Sequence, residues 1–317
     1  MNLLLVGTVN GKFNEGMRNV ATHIGQELGK KHTVCYIQLK DLGGLLSNLI
    51  WSDRILICAR ADKKLYWYVR ALSWFRKCSV ILVQKPDEYF LNRCKKKDLS
   101  CQFFTITMSD AACIPNASDV VRIPVGIDTE RFFPVSDTEK IALKQSLGID
   151  PQKCCVLHVG HCSAGRRVEK LCGLDSNEFE RIVITSGMFE DARIKRMLES
   201  DGVRVLSGYQ PNIEVYYQAA DVYFFPTISG NYVISIPLSV MEALACGTAV
   251  VGYKHFPGMQ EIESTDPNAM LLIGDSDNIA WALKQQAQHT TNANLLQKKC
   301  SWGSVAEIVS NELEKKS

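Results

Sequence analysis

Residues 219–262, AADVYFFPTISGNYVISIPLSVMEALACGTAVVGYKHFPGMQEI, constrain the fold more than any other part of the chain. The run at 222–225 reads as a buried strand, and Pro226 ends it. A polar, glycine-containing loop follows. A helix then opens at Pro237, where a missing N–H costs no hydrogen bond, and closes at Gly247. Val240, Leu244 and Ala245 give that helix a packing face, and residues 249–252 form a second buried strand. Strand, loop, helix, strand is the building block of a parallel α/β sheet. Glu242 is the one charged residue of this helix, set among Met241, Ala243, Leu244 and Ala245. A carboxylate in such company needs a partner. The first-turn amides, around Leu238 and Ser239, have no intrahelical acceptor and offer an anion site. A ligand carrying phosphate and hydroxyls would use both features. A neighbouring loop amide or cation would equally satisfy Glu242.

The same alternation runs through the chain. Residues 3–6 read as a strand, 7–16 as a loop of small and polar residues, 17–28 as a helix and 33–38 as the next strand. Strands at 54–58, 79–83, 103–107 and 120–122, with helices at 63–75 and 88–95, fill one open sheet. Beyond residue 132 come helix 138–147, strands 154–159, 181–185 and 203–206, and helices 191–198, 211–219 and 279–287. A last amphipathic helix begins at Ser301. Gly7, Gly11 and Gly16 do not make the GxGxxG fingerprint, and no acidic residue closes the second strand before Asp41, so dinucleotide binding is not indicated. Residues 160–167, GHCSAGRR, space glycines as in a P-loop but lack its Lys-Ser/Thr. A strand-end glycine loop followed by two guanidinium groups suits a pyrophosphate instead. Surface ion pairs are the plain alternative for Arg166 and Arg167. Asp275-Ser276-Asp277 has a metal–nucleotide DxD spacing, which capping of the following helix explains without metal.

Composition narrows the remaining classes. With 317 residues and 46% apolar side chains the chain can bury one large or two ordinary cores. A net charge of +2 argues against a dominant nucleic-acid surface. MNLLLVGTVNG reads as a first core strand rather than a secretory leader, and no apolar run is long enough to span a bilayer. Twelve cysteines, scattered apart from Cys154 and Cys155, with no CxxC and no histidine cluster, read as thiols in a reducing cytosol. No metal and a cytoplasmic location are therefore expected, with the membrane surface left open. Trp67, Tyr68 and Trp74 read as a core or interface stripe rather than a sugar platform. The basic run 93–97 reads as solvated surface ahead of an anionic membrane contact. Asn116-Ala117-Ser118 has glycosylation spacing without a secretory context.

Glu242-Ala243-Leu244-Ala245-Cys246-Gly247 resembles the second half of the donor-binding signature of the family-four nucleotide-sugar glycosyltransferases. The first glutamate of that signature falls on Ile234, which cannot do a carboxylate's work. Residues 123–132, IPVGIDTERF, are similar to the family's interdomain segment, with Val125 for the usual Asn. Glu261-Ile262 and residues 301–306 also match. The resemblance implies an α/β fold of two facing Rossmann-like domains of the GT-B type, with parallel sheets. Residues 1–126 would be the acceptor side, 127–298 the nucleotide-sugar domain, and 299–317 a C-terminal helix crossing back to the first domain.

It further implies retaining transfer of a hexose from a UDP-, GDP- or ADP-linked sugar to a hydroxyl on a glycan, lipid-linked or small-molecule acceptor, without a prosthetic group. The family's basic pair falls on His161 and Arg166, with Arg167 the adjacent alternative. These and Glu242 are the candidate catalytic residues. Gly160, Gly208, Tyr209, Leu238 and Ser239 join them around the donor, with Gln210 near the base and Ser229, Gly230 and Asn231 at the edge. Gly16, beside Asn14, Glu15 and Arg18, would face the reaction from the acceptor side. Ile234, His161 and the short first half keep open a catalytically inactive nucleotide- or partner-binding protein. A two-domain sugar-phosphate enzyme such as an epimerase is the third reading. No oligomeric state is implied.

Overall fold

The computed structural model describes residues 1–9, 16–38, 45–97, 99–114, 119–187, 190–228, 233–263 and 267–315. The readings at Gly11, Asn14, Glu15, Asp41, residues 116–118, Ser229, Gly230 and Asn231 lie outside the described residues. The chain divides into two compact units. Unit 1 comprises Met1–Gly126, Val233–Ile236 and Lys299–Ser317, and unit 2 comprises Ile127–Tyr232 and Pro237–Lys298.

Unit 1 runs β1 (Asn2–Gly7), α1 (Gly16–Leu28), β2 (Thr33–Ile37), α2 (Leu45–Trp51), β3 (Arg54–Cys58), α3 (Lys63–Leu72), β4 (Lys77–Leu82), α4 (Glu88–Lys96), β5 (Cys101–Thr105), α5 (Met108–Cys113) and β6 (Val120–Arg122). The sheet order is β2-β1-β3-β4-β5-β6, parallel throughout. Leu3 to Val6 and Ile55 to Ile57 are buried at every position. That is the mark of strands covered on both faces, and it explains why their sequences do not alternate. Ser235, from later in the chain, donates its N–H to the Val83 carbonyl at 2.7 Å. Beside it the buried Ile234 covers Gly16, where an added Cβ would stand 3.2 Å from the Ile234 Cγ2.

Unit 2 contains α6 (Asp137–Ser146), β7 (Cys154–Gly160), β8 (Phe179–Thr185), α7 (Ala192–Ser200), β9 (Arg204–Ser207), α8 (Glu214–Ala219), β10 (Val222–Phe225), α9 (Leu238–Ala245), β11 (Ala249–Tyr253), α10 (Pro257–Glu263), β12 (Met270–Ile273) and α11 (Ile279–Gln286). Two 3₁₀ turns, Ala164–Arg166 and Val168–Leu171, follow β7. The sheet order is β12-β11-β10-β7-β8-β9, again parallel. The buried Lys144 donates to Asp221 at 2.5 Å, and Asp221 also accepts the Cys155 N–H at 2.8 Å, which ties α6 to the sheet. After α12 (Ala293–Cys300) the chain ends in α13 (Trp302–Lys315), which belongs to unit 1. There Trp302 stacks on His23 with ring centroids 5.0 Å apart. A Cβ on Gly126 would lie 1.9 Å from the indole, so glycine is what admits it.

Several boundaries differ from the sequence reading. Pro237 is the N-cap of α9, with φ −64° and ψ 128°, rather than its first turn, and its carbonyl already accepts from Val240 N and Met241 N. The same fixed φ suits either position, so composition cannot separate them. Helix 63–75 stops at Leu72, and helix 211–219 starts only at Glu214. The loop read ahead of Glu261 is largely α10, with Pro257 at its first position. The unanticipated elements α2, α5, β12 and α12 have at most eight residues each, too few for a periodic signal.

Candidate functional site

Ligands of doubly wound sheets sit beyond the carboxyl ends of the strands where the strand order reverses. In unit 2 that point lies between β7 and β10, which are sheet neighbours although the chain visits β8 and β9 between them. β7 delivers Gly160 and the loop through Arg166. β10 delivers the segment that leads to α9. Tyr223, buried on β10, connects the two. Its hydroxyl donates to the Val159 carbonyl at 3.0 Å, accepts the Val159 N–H at 3.4 Å and bonds the Ser239 side chain. The same phenol feels the charges of Arg166 and Glu242, so the structure groups Arg166, Ser239 and Glu242 around it. Burial raises the Tyr223 pKa and keeps the hydroxyl protonated.

Glu242 lies three residues after Ser239, hence on the same side of α9. It is half-buried, and its Oε2 accepts a hydrogen bond from the Tyr217 hydroxyl at 2.8 Å. Lost hydration lifts its pKa from 4.5 to about 7, against the Tyr217 hydrogen bond and the charge of Arg131, which pull it down. Arg131 is itself held by Glu214, Nε to Oε2 at 2.6 Å, and lies over the Phe132 ring at 5.4 Å. The partner of Glu242 is thus a tyrosine hydroxyl, not the loop amide that the sequence left open. Tyr217 and Arg131 were both passed over, since 25 residues separate Tyr217 from Glu242 and nothing in the pattern links them.

The two adjacent arginines point to different tasks. Arg166 ends the first 3₁₀ turn, half-buried and within electrostatic reach of Tyr223. Arg167 adopts φ +54°, pairs with Asp275 at 2.7 Å and stacks over Tyr253 at 5.0 Å. His161 has its pKa lowered by burial and then by the Arg166 charge, which leaves it neutral at pH 7. The capping role read for Asp275 and Asp277 is corrected. Asn278 caps α11 through Trp281 N at 3.0 Å, Asp275 holds Arg167, and Asp277 accepts from Gly274 N at 2.6 Å. Among the described residues no group of three or more His, Cys, Asp or Glu could hold a metal ion.

Gly160 leaves space beside His158, since a Cβ there would stand 3.0 Å from the His158 Nε2. The His158 Nδ1–H donates to the Phe224 carbonyl at 3.0 Å, and burial lowers the ring's pKa to about 4, so the imidazole is neutral. Its Nε2 is a buried polar atom with no protein partner among the described residues, as is Thr227 Oγ1 just past β10. Gly208 has φ +92° at the end of β9 and donates to the Thr185 carbonyl at 3.0 Å. Tyr209 beside it is exposed. Leu238 and Ser239 open α9, and Gly16 lies in unit 1 under Ile234.

Residues 166–289 match the family of group 1 glycosyl transferases, a span that includes Arg166, Gly208, Tyr209, Ser239 and Glu242. No curated protein matches the chain in sequence. Among solved structures, Anabaena HepE in complex with UDP-glucose is 14% identical, with 99% of this chain and 100% of that one covered and a TM-score of 0.74. A glycosyltransferase from Rickettsia africae is 12% identical, with 99% and 98% covered and a TM-score of 0.73. A UDP-GlcNAc 2-epimerase from Neisseria meningitidis bound to UDP-GlcNAc is 14% identical, with 99% and 100% covered and a TM-score of 0.56. These likenesses establish the fold: an α/β, two-domain architecture of the GT-B kind with two six-stranded parallel sheets.

Proposed function

We propose that this chain is a glycosyltransferase that moves a sugar from a nucleoside diphosphate to an acceptor hydroxyl, with the donor held by unit 2. The observation that carries the reading is the grouping of Arg166, Ser239 and Glu242 around Tyr223 at the strand-order reversal. Each supplies what such a donor needs. Glu242 accepts hydrogen bonds from the ribose hydroxyls. Arg166 and the first amides of α9, at Leu238 and Ser239, stabilise charge that develops on the departing diphosphate. His161 is neutral without ligand, and a diphosphate would raise its pKa towards protonation. Arg167, already engaged by Asp275, shapes the loop and adds long-range charge. Gly160 gives the diphosphate close approach, and Gly208 and Tyr209 lie towards the base.

The family-four assignment, the retaining course and transfer of a hexose belong to this proposal, as does placing Gly16 and the acceptor with unit 1. Support comes from the match at residues 166–289 and from a fold shared with a protein crystallised with UDP-glucose. One observation favours the inactive alternative. Ile234, where the signature has its first glutamate, is buried against Gly16 and offers no carboxylate.

Turnover assayed with UDP-, GDP- and ADP-sugars across an acceptor panel separates the two. An enzyme releases nucleoside diphosphate and forms product, whereas a binder shows saturable nucleotide binding and no turnover. Arg166→Ala should lower nucleotide affinity and transfer together, by about ten- to a hundredfold for one charged hydrogen bond. Unchanged values for both would remove Arg166 from the donor site.

A further inference from the structure

Unit 1 carries an exposed apolar tip that the proposed chemistry does not use. Ile50 at the end of α2 is 79% exposed, and Trp74 and Phe75 in the turn after α3 are 83% and 62% exposed. Trp51 and Trp67 are exposed as well. Arg76 joins Ile50, Trp51, Trp74 and Phe75 into one surface. Its Nε donates to the Ser52 carbonyl at 2.5 Å and its Nη2 to the Ile50 carbonyl at 3.0 Å, which clamps the turn holding Trp74 and Phe75 against the end of α2. Large exposed apolar groups gathered in one place mark an interaction surface, since a free surface of this kind costs solubility.

The segment that carries Trp74 and Phe75 is equally lopsided in charge. Residues 60–97 contain eleven Lys and Arg against three acidic residues, a net of +8 in a chain whose total is +2. Two of those three acids are occupied as helix caps: Asp62 accepts from Lys64 N and Leu65 N, and Asp87 accepts from Phe90 N. The basic groups extend the aromatic surface. Arg93 lies over the Trp67 ring at 5.5 Å and the Tyr89 ring at 5.3 Å, and Lys63 over Tyr89 at 5.6 Å. The Trp67 indole N–H donates to the Tyr89 hydroxyl at 3.2 Å. One turn further along α4, Lys95, Lys96 and Lys97 are exposed.

We propose that this tip, Ile50, Trp51, Trp74 and Phe75, with the lysines at the C-terminal end of the neighbouring α4, docks unit 1 on an anionic lipid surface. Tryptophan inserts at the level of the headgroups, where its apolar ring and polar N–H are both satisfied, and phenylalanine adds buried apolar area beside it. Lysine and arginine stems lie along apolar surface while their charged ends reach anionic headgroups, each contributing favourably near the membrane. Charge decides between occupants. A second copy of this chain would set the exposed Lys95, Lys96 and Lys97 against the same lysines, whereas an anionic bilayer neutralises them. No helix among the described residues is long and apolar enough to cross a membrane, so the contact is peripheral.

Vesicle flotation without nucleotide tests the proposal independently of glycosyl transfer. The full chain should float with phosphatidylcholine vesicles containing about 40 mol% phosphatidylglycerol, remain free with phosphatidylcholine alone, and lose binding as salt is raised. Binding should also shift tryptophan emission to shorter wavelength. Replacing Lys95, Lys96 and Lys97 together by Gln should weaken partitioning by about a hundredfold and flatten its salt dependence. Trp74→Ser with Phe75→Ser should reduce the emission shift to what Trp51 contributes and weaken binding, and because both side chains are exposed the thermal midpoint should not move. Equal binding to neutral and anionic vesicles, no binding to either, or variants that bind like the parent would overturn it. So would a sedimenting dimer that the double variant dissolves in a chain that ignores vesicles, which would assign the tip to self-association.

Discussion

Glu242→Gln keeps the shape of this half-buried side chain and removes its ability to ionise. In the folded chain the carboxyl has a pKa of about 7 against 4.5 ordinarily, chiefly because burial strips its hydration. Between those two values the native state holds the proton more tightly than the unfolded state does. The stability that the neutral carboxyl confers is therefore complete below about pH 4.5, declines as pH rises through 7, and is absent above. At about 1.4 kcal/mol for each pH unit separating the two pKa values, the loss comes to about 3 kcal/mol. The amide of the variant carries no titrating proton and escapes this loss. The stability of the variant minus that of the parent, from urea midpoints at constant slope, should grow by about 3 kcal/mol from about pH 4.5 to about pH 8. Carboxyl ¹³C titration of the parent should show the matching resonance moving near pH 7. Stability curves that run parallel for the two proteins across this range would refute a dehydrated carboxyl beside Tyr217. Ribose hydroxyls donating to this group would favour its ionised form, so nucleotide affinity in the parent should fall as pH drops below 7. In the variant it should be weaker and flat with pH.

Tyr217→Phe removes the hydroxyl that donates to Glu242 and should cost about 1–3 kcal/mol while raising the Glu242 pKa further, read by the same titration. Gly126→Ala drives a methyl into the Trp302 indole and should destabilise by at least about 1–3 kcal/mol, with faster amide exchange in α13 as its signature. Arg167→Ala breaks a pair whose Asp275 partner is largely in solvent, so it should cost less than about 1 kcal/mol in stability. It should also reduce nucleotide affinity less than Arg166→Ala does, as isothermal titration would show.

Much of the architecture was legible because buried parallel strands write themselves as continuous apolar runs. β3, β6 and β10 were read with their observed bounds, and β7 and β11 to within one residue. Glycine and proline marked the ends of α9 to the same precision. Glu242 stood out for an equally local reason, as a charge on an otherwise apolar helix. These are short-range consequences of side-chain size, branching and polarity, which a chain displays before it folds.

What the fold alone decided depends on residues far apart in the chain. Tyr217 as the partner of Glu242, Arg131 as the nearby cation, and Tyr223 as the hub between Arg166 and Ser239 follow from the order in which strands pair, which no local pattern records. Arg166 and Arg167 are indistinguishable by type and spacing, yet a positive φ at Arg167 turns one towards Asp275 while its neighbour stays beside Tyr223. The sequence left Trp74 as core or interface, and its exposure removes the core option, because hydrophobicity predicts burial only when a neighbouring element arrives to cover it. Apolar pattern and turn chemistry are properties of short segments; dehydration, pKa and the company a side chain keeps are properties of the assembled sheet.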